Sequence, residues 1–129
     1  MPTETKKWQA CALERVLRIG GHFLRAADPA ALRARYRECL GLDAGEYGEG
    51  HQEDGPTVFA TFESDADYFG SRSQQTMFNF RVRDLDAMLA QLRAAGAAVA
   101  EETQEMDGVG RFGWVTDPEG NRVELWQPA

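Results

Sequence analysis

The sequence predicts an α+β fold: two tandem βαβββ modules whose curved mixed sheets enclose a cleft, with the helices outside. Two observations predict it. The chain repeats itself: HFLRAADPAALRARYREC, from His22, aligns without a gap on FNFRVRDLDAMLAQLRAA, from Phe78, at an offset of 56. Each copy also passes from strand to capped helix and then to further strand-like pieces. A duplication of this kind implies pseudo-twofold symmetry. One face of each sheet is then covered by a helix, and the other is free to line a cleft.

The alignment pairs Arg25 with Arg81, Asp28 with Asp84, Ala31 with Ala87, Ala34 with Ala90 and Arg37 with Arg93; Leu32 falls on Met88. In the second copy Phe78, Phe80 and Val82 alternate with Met77, Asn79 and Arg81, a strand with one apolar face. Asp84 caps the helix that follows, Leu85, Met88, Leu89 and Leu92 form its apolar stripe, and Gly96 stops it. In the first copy Asp28 is the cap and Pro29 takes the first helical position. The stripe is Leu32, Tyr36, Cys39 and Leu40, and Gly41 ends it. Cys39 on that stripe reads as a small core residue.

Strand-like pieces follow each helix. In the first half they lie around Ala44 to Gly50 and Pro56 to Glu63. In the second they lie around Ala98 to Glu105, Arg111 to Thr116 and Asn121 to Gln127. Asp117-Pro118-Glu119-Gly120 joins the last two as a type I turn, with glycine available for positive φ. Residues 1–14 read as an N-terminal tail and 15–129 as one domain, with modules at about 15–70 and about 75–128.

With 129 residues, 43% hydrophobic and 27% charged, the chain has the length and composition of a single globular domain. Its formal net charge of −7 argues against nucleic acid or an anionic membrane as partner. The arginines of RARYR, from Arg33, are spaced along a helix beside acidic neighbours and read as a solvated face. Cys11 and Cys39, with no signal peptide before them, suggest reduced thiols and a cytoplasmic protein. No window is long and apolar enough to span a membrane.

Three stretches carry a resemblance: FLRAADPAALRARYRECLGL, NFRVRDLDAMLAQLRAAGAAV and GRFGWVTDPEGNRVELWQP. Together they cover about half of the chain and resemble the vicinal oxygen chelate superfamily, which holds glyoxalase I, bleomycin-resistance proteins, fosfomycin-resistance enzymes and extradiol dioxygenases. The last stretch is the most specific, a strand, a DPxGN turn and a strand bearing Glu124. The resemblance implies a single glyoxalase-like domain, and a metal held by His, Gln or Glu from the first and last strands of each module. Such an ion acts as a Lewis acid or stabilises an enolate.

The four ligand positions depart from that pattern. Counting seven residues back from Asp28 and Asp84 gives Gly21 and Met77. Glycine has no side-chain donor, and a thioether is too soft for a hard ion. His22 is one residue out of phase, and alternation turns it to the helix side. In module one's last strand the choices are Phe59, Ala60 and Thr61, with Glu63 only if the strand slips. The loop with His51, Glu53 and Asp54 reads as solvated. Glu124 alone survives, so the expectation is no cofactor and no metal of the usual type. Should a divalent metal bind, Glu124 with His22 would hold it, through a bulge at Gly20–Gly21.

Alternation then describes the cleft. Glu124 is in phase with Arg122 and Trp126, while Val123 and Leu125 face a helix. Family geometry sets Phe112 and Trp114 toward the same side, with Met77, Asn79 and Arg81 from module two's first strand and Phe23 from module one's. Apolar walls with sparse polar anchors suit a small organic ligand, planar or cationic. A buried Glu124 could also act as general acid or base. The segment DADYFGSRSQQTM, from Asp65, reads as an inter-module linker that could edge a site through Tyr68 and Phe69.

Two functions follow. One is a bleomycin-resistance-like protein that binds a small molecule in the cleft without the usual metal. The other is a metal-dependent lyase, isomerase or dioxygenase-type enzyme using Glu124 as ligand or as acid–base group. Either would be expected to form a homodimer, as family members do.

Overall fold

The computed structural model describes residues 22–42 and 50–129. Within them run α1 (Pro29–Leu40), β1 (Phe78–Arg81), α2 (Leu85–Ala94), β2 (Ala98–Val99), β3 (Gln104–Met106), β4 (Gly110–Thr116) and β5 (Arg122–Pro128). The strands form one open sheet in the order β1-β5-β4-β2, with β3 pairing farther along β4. β1 runs parallel to β5, and the other pairs are antiparallel.

Local chemistry sets both helices. The Asp28 and Asp84 carboxylates each accept from the backbone N–H three residues on, Ala31 and Ala87, at 3.1 Å. Pro29 opens α1, and the Gly41 N–H closes it onto the Arg37 carbonyl at 3.1 Å. Of the stripes read from the sequence, Leu40 and Met88 are partly buried, while Leu32, Tyr36 and Cys39 on α1 and Leu85, Leu89 and Leu92 on α2 are buried. They meet Val115, Val123 and Leu125 of the sheet to form the main core, with Phe78 and Phe80 packed against it.

The β4–β5 turn closes as expected. The Gly120 N–H reaches the Asp117 carbonyl at 2.9 Å, and Gly120 sits at φ 87°, a conformation that costs other residues energy. The turn also ties the two halves together. Glu119 accepts the Ala27 and Asp28 N–H groups at 2.9 and 3.0 Å, and Asp117 accepts the Tyr36 hydroxyl at 2.7 Å.

The two copies of the repeat differ here. The second contributes β1, α2 and four strands after it, with the piece expected at Ala98 to Glu105 divided between β2 and β3. The first contributes only α1 among the described residues. Pro56–Glu63, expected as a strand, carries none. A strand exists through its ladder, and this segment has no ladder partner among the described residues. Val58 is 62% and Phe59 84% exposed. The tail at 1–14, Gly20, Gly21, Cys11 and nearly all of the piece expected at 44–50 lie outside the described residues.

Candidate functional site

The face of the sheet away from the helices is built by cross-strand register. Glu124 pairs with Asn79 on one side and with Trp114 on the other; Trp126 pairs with Arg81 and Phe112. The period of two along β5 puts Glu124 and Trp126 here and Val123 and Leu125 under the helices. Phe112, Trp114 and Trp126 form a buried cluster, with Tyr68, Met77 and Ala100 packed against it. The Phe112 and Trp126 rings stack at 5.9 Å and 6°.

Glu124 lies within this aromatic surface, only 6% exposed, the one buried charged residue among those described. A carboxylate in such a place must be compensated. Among the described residues it forms no ion pair. Its compensation is three hydrogen bonds. Asn79 Nδ2 donates to Oε1 at 2.7 Å, Trp114 Nε1 donates to Oε2 at 3.0 Å, and the Tyr68 hydroxyl donates to that same Oε2. Burial, followed by the bond to Glu124, raises the Tyr68 hydroxyl well above its ordinary pKa, so it stays a donor.

Two arginines flank the face. The Arg122 guanidinium lies over the Trp114 ring, 5.1 Å from its centroid. Arg122 Nε is a buried polar atom without a hydrogen-bond partner among the described residues. Arg81 turns to the Glu53 carbonyl, at 2.7 Å, and fills the space where a side chain on Gly55 would sit. A Cβ at Gly55 would meet the end of the flexible Arg81 side chain, which would have to move aside.

Of the residues expected to line the cleft, the structure brings Met77, Asn79, Phe112, Trp114, Glu124 and Trp126 to one face. Arg81 shares the face, but its guanidinium serves the 53–55 loop. Phe23 does not join: it is 93% exposed, in a segment with no strand to orient it. His22, exposed and in the same strandless segment, packs on Phe78 with ring centroids 4.2 Å apart. Tyr68, read from sequence as part of a linker, is the residue that reasoning undervalued. Its one signal was an aromatic with a polar tip in a long polar loop.

The donor set around Glu124 does not fit a divalent ion. Its nearest polar neighbours are an amide NH2, an indole N–H and a phenol O–H, all directing protons at the carboxylate. Among the described residues, no three His, Cys, Asp or Glu side chains converge. Two clefts open elsewhere. An apolar one of about 280 Å³ lies between the helices and the sheet beside Tyr36, Cys39 and Val115. One of mixed lining, about 340 Å³, lies beside His22, Phe23, Gln74 and Arg122. Glu124 lines neither, and Tyr68 stands against it.

The fold and this face define a class. The chain belongs to the glyoxalase-like domain family, whose model matches residues 21–126. Its structure resembles TnmS3, an antibiotic-binding protein from Streptomyces sp. CB03234, with 23% identity and a TM-score of 0.53 over 87% of this chain and 100% of that one. It also resembles a lactoylglutathione lyase from Agrobacterium tumefaciens, with 23% identity and a TM-score of 0.56 over 88% and 95% of the two chains. A third likeness is to a member of the glyoxalase/bleomycin resistance protein/dioxygenase superfamily from Sphaerobacter thermophilus, at 17% identity and a TM-score of 0.51, covering 79% and 90%. These likenesses establish the superfamily's fold. No curated protein sequence matches the chain significantly. No helix among the described residues is long and apolar enough to cross a membrane.

Proposed function

We propose that this protein binds a small planar organic molecule against the Glu124 face of its sheet, without the metal site usual in its superfamily. The observation that carries this reading is a buried carboxylate set among Phe112, Trp114 and Trp126 and satisfied only by neutral donors. Aromatic walls give area, and a single anchored acceptor gives orientation. The antibiotic-binding relative lends support by analogy of fold alone. The enzyme reading would use the same carboxylate as an acid–base group or a metal ligand.

A second copy of the chain is the partner we propose for the exposed apolar residues Phe23, Val58 and Phe59. The reduced thiol of Cys39 fits a cytoplasmic setting.

The test is a fragment titration followed by the indole N–H signals of Trp114 and Trp126 in NMR. Planar aromatic fragments should shift both signals in the wild type and bind at least about tenfold more weakly to Glu124→Gln, since hydrogen bonds to a charged group are the strong ones. Binding that ignores Glu124 and leaves both indole signals unmoved would overturn the reading. Stoichiometric divalent metal lost on Glu124→Gln would replace it with the metal-dependent one.

A further inference from the structure

Tyr68 stands where a ligand of this face would stand. Its ring is stacked on Phe62 at 5.3 Å and 15°, and meets Trp114 edge to face at 5.9 Å and 87°. Its hydroxyl shares Glu124 Oε2 with the Trp114 indole N–H. A planar ring held between aromatic faces, with one polar tip on a buried acceptor, is how a small aromatic ligand would be bound.

The element that carries Tyr68 is not fixed to the sheet by a ladder. Residues 64–76 form neither helix nor strand; the backbone there closes on itself through Ala66 to Glu63, Gly70 to Asp67 and Gln74 to Ser71. Phe62, on the outer side of the Tyr68 ring, is 48% exposed. The inner wall, Trp114 and Glu124, belongs to the two longest strands. The site therefore has a rigid floor and a loop-borne occupant.

Resting on the reading above, we propose that Tyr68 is an internal stand-in for the ligand, and that the ligand is a phenol: an aromatic ring whose neutral hydroxyl donates to Glu124 after displacing the Tyr68 ring. The surrounding charge favours a neutral donor over a cation. The Arg122 guanidinium already lies over the Trp114 ring, where a cationic ligand would stack. The carboxylate needs a proton donor to replace the one that leaves, because an emptied acceptor in this setting is costly. A ring without a hydroxyl cannot replace it.

The probe is p-cresol, the tyrosine side chain as a free molecule, with toluene as its hydroxyl-free counterpart, titrated by calorimetry. Tyr68→Ala should bind p-cresol at least about tenfold more tightly than the wild type, and at least about tenfold more tightly than it binds toluene. Adding Glu124→Gln should erase that preference. Should Tyr68→Ala fail to fold, Tyr68→Phe carries the test, because it keeps the ring but frees the acceptor and should bind p-cresol more tightly than the wild type. Equal binding of p-cresol to wild type and variant, or equal binding of p-cresol and toluene, overturns the proposal. Hydroxyl-free fragments that shift the Trp114 signal equally well would sink the phenol alone and leave small-molecule binding standing. Silence from every fragment, in the wild type and in both variants, would sink both.

Discussion

Each face of the sheet holds a tyrosine hydrogen-bonded to a carboxylate, and the two pairs have different work to do. On the helix side Tyr36 donates to Asp117. Asp117 is a turn residue with a structural role of its own: it accepts the Glu119 and Asn121 N–H groups and the Asn121 side chain at 2.8 to 2.9 Å. Tyr36 comes from a regular helix and docks α1 on the β4–β5 turn. On the other side Tyr68 donates to Glu124, which lies in the middle of a strand and caps nothing. Tyr68 comes from a loop. The first pair is explained by architecture alone. The second places a buried charge in the body of a sheet where Val or Leu would pack without needing three donors. That difference separates a structural polar contact from a candidate binding site.

The sharpest way to break the comparison is to damage each face separately. Leu125, fully buried beside Glu124 in sequence but opposite it in space, should cost about 2–5 kcal/mol of stability as Leu125→Ala, measured by urea unfolding. Fragment binding by the folded variant should be retained. Loss of binding with little loss of stability would mean that the two faces are not separable.

A smaller effect is expected at Trp114. Trp114→Phe keeps an aromatic ring but leaves Glu124 Oε2 with one donor fewer, and should destabilise by about 1–3 kcal/mol. Unlike Leu125→Ala, it should also change fragment affinity. An effect on stability alone would place Trp114 with the core and not with the site.

The smallest effect concerns Tyr36, at about 1 kcal/mol near neutral pH for Tyr36→Phe. Its hydroxyl is raised above the ordinary tyrosine value by burial first, and then by the bond to Asp117. In the unfolded chain tyrosine ionises near pH about 10, while the folded protein keeps this proton. The unfolded state then binds fewer protons, so the contribution is intact below pH about 10 and falls away as pH rises beyond it. Tyr68 follows the same sign for the same cause. Urea midpoints measured from pH about 8 to about 11 should drop less steeply in Tyr36→Phe than in the wild type. Equal slopes would show that the hydroxyl is not held by its carboxylate.

Much of this was legible in the sequence. The two capped helices and their buried stripes, strands β1, β4 and β5, the glycine of the β4–β5 turn, and the phase that sets Glu124 and Trp126 against Val123 and Leu125 all depend on residues a few positions apart. Capping, helical spacing and strand alternation act over that range, so they can be read locally. Phe23 and Pro56–Glu63 were less legible, because a strand is defined by its ladder and not by its own composition.

What only the tertiary structure decided is what surrounds the carboxylate. Asn79 and Trp114 reach Glu124 through pairings on both sides of β5, and alternation alone does not specify which strands are neighbours. Tyr68 reaches it across 56 residues of chain, from a loop without a period to read. A buried charge must collect its donors from wherever the fold brings them. The sequence by itself determined where Glu124 points; the packed chain determined that a tyrosine already occupies the place.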